Sequence, residues 1–68
     1  MAAEERTGTI TGFYDTDTGS IKDSVENVEY DFAQTGAQID FIIGKLYTYL
    51  RITTPKGKII IKEIGRPA

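Results

Sequence analysis

The sequence predicts an all-β domain: one small closed barrel of five strands. Three observations lead there. Short runs rich in threonine, isoleucine and aromatics, which suit a pleated surface, are separated by compact turn signals. No stretch carries the longer apolar periodicity of a sizeable helix. Five strands packed into some 60 residues leave two sheet edges, and closing the sheet on itself removes them.

The elements follow in order. Residues 1–6, MAAEER, are expected to fray. Residues 7–14 form a first strand, with Thr9 and Thr11 alternating with Ile10. DTDTG at 15–19 is a turn, in which aspartate bonds its own backbone and glycine supplies positive φ. A short second strand covers 19–23, and SVEN at 24–27 turns the chain again. In residues 28–33, Val28, Tyr30 and Phe32 share one face, and Glu29, Asp31 and Ala33 share the other. Residues 34–40 are a loop with one helical turn. Residues 42–54 form the longest strand, with Leu46, Leu50 and Ile52 offered to the core. TPKG at 54–57 is a tight turn with proline at its second position. Residues 58–64 are the last strand, and 65–68 a tail. One domain therefore spans 7–64. The oligonucleotide- and oligosaccharide-binding (OB) barrel is the common five-stranded solution of this size, with an SH3-like barrel as the alternative.

Composition narrows the function. The 68 residues contain neither cysteine nor histidine. No disulfide, thiolate metal site or histidine-based nucleophile pair can be built. The acidic cluster Asp15, Asp17, Asp23 and Glu26 has the spacing of part of a calcium loop, but Gly19 stands where an oxygen ligand belongs, Ser20 stands where the loop needs glycine, and no helices flank it, so it reads as a turn. Glu29 and Asp31 pair on a strand without a pocket to separate their acidities. No cofactor or metal is implied, and the chain reads as a non-enzymatic binding module. No apolar run is long enough to span a membrane, so a cytoplasmic, soluble protein is expected. Charge is divided unevenly. Residues 1–40 hold nine acids and two bases (−7), and residues 41–68 hold six bases and one acid (+5). The halves either complement each other within the molecule or attract a charged partner.

Gly8-Thr9-Ile10-Thr11-Gly12-Phe13-Tyr14, then Gly19-Ser20-Ile21, then Val28-Glu29-Tyr30-Asp31-Phe32, with Gly44 and Lys56-Gly57, form a pattern that resembles the cold-shock domain family. The resemblance covers nearly the whole chain and implies an OB-type barrel binding single-stranded nucleic acid through outward aromatics. Carried across, those aromatic positions fall on Gly12, Ser20, Glu29 and Asp31, which look outward; only Phe13 and Phe32 keep a ring.

Two functions from different classes follow. The first is weak binding of single-stranded RNA or DNA through a modified surface. Phe13 and Phe32 would supply it from the family face. Lys45, Tyr47, Tyr49, Arg51, Lys56 and Lys58 would supply an aromatic–basic stripe from the later hairpin. Tyr47 and Tyr49 lie either on that exposed stripe or inside the barrel, where the family layout puts them. The second is a protein-interaction or structural module that has lost the nucleic-acid face, including self-association of the acidic wall with the basic one. The apolar triplet Ile59, Ile60 and Ile61 between Lys58 and Lys62 cannot point to one face, so either both faces are buried or one isoleucine, Ile60, meets a partner.

Overall fold

A computed structural model describes residues 2–65. It contains five antiparallel strands and one helical turn: β1 (Ala2–Phe13), β2 (Thr18–Asp23), β3 (Glu29–Ala33), α1 (Ala37–Asp40), β4 (Leu46–Thr53) and β5 (Ile59–Lys62). The sheet order is β3-β2-β1-β4-β5. The strands curl into a nearly closed all-β barrel, consistent with the OB type, in which β3 and β5 approach each other without a hydrogen-bonded ladder.

The barrel depends on the length of β1. Its first two-thirds pair with β4, from Ala2↔Thr53 to Thr9↔Leu46, and its second half pairs with β2, from Gly8↔Asp23 to Phe13↔Gly19. Both partners flank it at Gly8. A Cβ there would lie 2.8 Å from the Lys22 carbonyl oxygen and 3.0 Å from the Tyr49 ring, so only glycine lets three strands converge. Just beyond, the register slips at Thr11, which is opposed by no β2 residue. This bulge sharpens the bend that carries β1 from one partner to the other. The Thr11 hydroxyl fixes it through a 2.6 Å bond with the Ser20 hydroxyl.

The expectation of a frayed start is corrected. Residues 2–6 are the half of β1 that recruits β4, and Met1 lies outside the described residues. The tail at 65–68 is described only at Gly65. The turns follow the sequence closely. Asp15 Oδ1 accepts the Asp17 and Thr18 backbone N–H groups, both at 2.9 Å. Pro55 sits second in the 54–57 turn, which Gly57 N–H closes onto Thr54 C=O at 2.8 Å. Gly19 differs in its role. It holds no positive φ; instead its missing Cβ leaves room for the Gly12 carbonyl oxygen, which would lie 2.5 Å away.

The core comprises Ile10, Ile21, Phe32, Ala37, Phe41, Tyr47, Tyr49, Ile61 and Ile64. On β3, Phe32 is buried and Tyr30 half-buried, while Glu29, Asp31 and Ala33 are exposed, as the alternation predicts. The long fourth strand is corrected twice. It begins at Leu46, because Ile42–Lys45 form a turn with Gly44 at φ 89°. Its inward face is Tyr47, Tyr49 and Arg51, with Leu46 exposed and Leu50 and Ile52 half-buried. Its pairing with β1 and β5 runs without a slip, so no bulge reconciles the two faces.

The reason is hydrogen bonding. A tyrosine or arginine can be interior only where its polar end finds a partner. Tyr49 donates its hydroxyl to Asp23, which is fully buried. Asp23 also accepts Arg6 Nε–H at 2.6 Å and Nη2–H at 3.1 Å, and the N–H groups of Val25 and Glu26 at 2.9 Å. The cation and these donors hold its carboxyl well below the usual carboxylate range. Burial, with the Asp23 carboxylate beside it, pushes the Tyr49 phenol up. Arg51 donates to Glu26 at 2.7 Å, Glu4 at 2.9 Å and the Tyr30 hydroxyl oxygen at 3.1 Å. The acidic first half and the basic second half thus meet inside one molecule through Arg51.

Candidate interaction groove

The eight residues expected to bind nucleic acid do not assemble into one surface. Tyr47, Tyr49 and Arg51 are buried, which corrects the exposed stripe and places the two tyrosines inside the barrel; Phe32, expected on the family face, is buried as well. Tyr47 packs edge-on against Phe41 with ring centroids 5.0 Å apart, and its hydroxyl oxygen accepts the Ile42 N–H at 2.9 Å. Phe13 is half-buried and sits edge-on to Phe32 at 6.5 Å. Lys45 is exposed before β4, whereas Lys56 and Lys58 are exposed in the β4–β5 turn. The outward positions of β2 and β3 offer no stacking platform. Ser20 is covered and bonded to Thr11, and Glu29 and Asp31 present carboxylates.

The structure instead opens a groove of about 650 Å³ along the unladdered seam between β3 and β5. Phe32 and Ile61 are its buried apolar residues; Ile59 and Ile60 are half-buried within it. Lys58, at the end of the β4–β5 turn, and Lys62, the last residue of β5, stand at its rim, with Asp31 and Ala33 on β3. Tyr14, from the β1–β2 turn, completes the lining beside Thr18; it is 65% exposed and donates its hydroxyl to Asp31 Oδ1 at 2.7 Å. The bonded carboxylate raises the Tyr14 phenol above its ordinary value. Of the eight expected residues, the groove takes only Phe32 and Lys58.

Local sequence explains why the seam stays open. β5 is only four residues long, and Glu63, at φ 50°, turns the chain away immediately after it. Past the ends of both strands, the Gln34 side chain does what a neighbouring strand would do. Its carboxamide donates to the Ile64 carbonyl at 3.2 Å and accepts the Ile64 N–H at 3.0 Å. Alongside the groove itself, no strand takes that place. Tyr14, Asp31 and Lys62 were missed from the sequence as groove residues because they come from three separate elements. The signal that could be read was the isoleucine triplet between two lysines.

Among the described residues, no three Asp, Glu, His or Cys side chains converge as a metal site, and no helix is long and apolar enough to cross a membrane. No protein-family model, curated protein or solved structure matches the chain.

Proposed function

We propose that the chain is a non-enzymatic, cytoplasmic protein-interaction module that takes an extended segment of a partner along the β3–β5 seam. The observation that carries this reading is the pair of facing strand edges without a ladder, set beside an apolar groove. An extended peptide can satisfy such edges by main-chain hydrogen bonding, while alternate side chains drop into the groove. The floor favours Val, Ile or Phe at those alternate positions. The rim carries Lys58 and Lys62, whereas Asp31 is occupied by Tyr14, so acidic flanks suit the partner.

Magnitudes separate this reading from nucleic-acid binding. One exposed ring, Tyr14, supplies about 1–3 kcal/mol of stacking. Micromolar affinity needs about 8 kcal/mol. The remaining lysines give salt-sensitive attraction without base contacts. Tyr14 standing on the same groove as Lys58 and Lys62 is the one feature that favours an oligonucleotide there.

One experiment distinguishes the two. The labelled protein is titrated with a short alternating Val/Thr peptide carrying glutamate ends, and separately with pooled single-stranded RNA and DNA, while backbone amide shifts are followed. The proposal expects the peptide to move amides 31–33 and 58–62, most of the effect surviving added salt. Oligonucleotide-induced shifts that vanish with salt, with none from the peptide, overturn it in favour of nucleic acid. Silence from both removes the groove as a binding site.

A further inference from the structure

A second surface is independent of the groove. Ile39 is 85% exposed, Ile42 62%, Ile43 57% and Leu46 37%. These four fall within eight residues that run from α1, which holds Ile39, to Leu46 at the start of β4. The segment is well anchored, so looseness does not account for their exposure. Phe41 packs on Tyr47, Ile42 N–H bonds the Tyr47 hydroxyl oxygen, and Gly44 N–H bonds Ile10 C=O at 2.8 Å. Lys45 N–H closes the turn onto Ile42 C=O at 3.2 Å. Phe41, Gly44 and the backbone do the anchoring, and the isoleucines are left facing water. The 15–18 and 54–57 turns carry no large apolar side chain apart from a proline, and the 24–27 turn exposes a single one, Val25.

The charges around the patch indicate what covers it. Asp40 and Lys45 are the charged residues between 39 and 46; both are exposed, and neither joins an ion pair among the described residues. Their sum is zero, so the patch has no net attraction for phosphates or an anionic membrane. In sequence they flank Ile42 and Ile43 with opposite signs, Ile39 and Leu46 lying just outside them. Two copies paired about a two-fold axis near Ile43 would set each copy's Asp40 against the other's Lys45, as two reciprocal pairs around a shared apolar centre.

We propose that Ile39, Ile42, Ile43 and Leu46 form a self-association surface on which two copies of this chain pair face to face. The patch is small, so the dimer is weak and concentration-dependent. A 68-residue barrel without disulfides gains most from such an addition to its buried apolar area.

Sedimentation equilibrium of the full chain, from micromolar to millimolar, tests this. The wild type is expected to shift from monomer to dimer. Ile43→Asp should weaken the dimer about a hundredfold. Asp40→Lys and Lys45→Asp should each weaken it about tenfold, by setting like charges together. The double reversal Asp40→Lys/Lys45→Asp should restore dimerisation, which only reciprocal pairing predicts. All four residues are exposed, and circular dichroism melts confirm that each variant is folded. A monomer at every concentration overturns the proposal. So does a double reversal that fails to recover, or a dimer indifferent to Ile43→Asp. Peptide binding at the groove is read separately on the same variants and does not depend on the outcome.

Discussion

Replacing Asp23 by alanine removes the acceptor for five hydrogen bonds at once: two from Arg6, one from Tyr49, and one each from the Val25 and Glu26 backbone. The Tyr49 hydroxyl is then left without its acceptor deep in the barrel, at about 1–3 kcal/mol. Losing one partner of a buried ion pair costs about 3–5 kcal/mol, and the turn after β2 loses its side-chain cap as well. A chain of this length has a total stability of about 3–10 kcal/mol. Asp23→Ala is therefore expected at or beyond the edge of folding. Asp23→Asn keeps an oxygen for the turn but discards the charge facing Arg6, and should cost about 2–4 kcal/mol. Because the folded-state pKa is depressed, the carboxylate's contribution is complete above its unfolded value near 4. It drains away as pH falls below that value towards the folded one. Urea melts followed by tyrosine fluorescence, at intervals from pH 7 down to 2, measure both effects. The wild type should lose stability steeply below pH 4, and Asp23→Asn should start lower and decline less. Equal midpoints and parallel pH profiles for the two proteins would refute the assignment of Asp23 as the electrostatic centre of the barrel.

Two further outcomes follow from the same packing. Gly8→Ala puts a methyl group 2.8 Å from a backbone oxygen, where nothing flexible can yield, and should cost about 1–3 kcal/mol in urea melts. The Tyr49 phenol is raised by burial and by Asp23, so stability is complete below the ordinary tyrosine value near 10 and falls as pH climbs through that value towards the folded one. Ultraviolet titration should show phenolate formation at Tyr49 only with unfolding, and Tyr49→Phe should remove that late step.

Local chemistry was readable; distant partnership was not. The Asp15 turn, the proline turn at 54–57 and the two faces of β3 follow from residues within a few positions of one another. Asp23 resembles a second turn aspartate until Arg6, 17 positions before it, and Tyr49, 26 after it, close around it. β4 was ambiguous for a related reason. Leu46, Leu50 and Ile52 alternate with Tyr47, Tyr49 and Arg51, and hydrophobicity alone favours the first set. Hydrogen-bond partners from other strands (Asp23, Glu4, Tyr30) and from turns (Glu26, Ile42) reverse the choice. Residues 2–6 looked disposable because their polar side chains hide a full ladder to β4. The isoleucine triplet was legible as an anomaly, but the seam that explains it depends on where a strand is missing.

The Gln34 carboxamide has a consequence for how the cylinder breathes. Two contacts from a single flexible side chain fasten the β3 and β5 ends together, where every other neighbouring pair of strands shares a full ladder. Unzipping there sacrifices far less than parting any other two strands, so the wall can swing apart along one line while the rest keeps its shape. On the proposed function, a guest strand would enter at that line, opposite the point where β2 and β4 converge on Gly8.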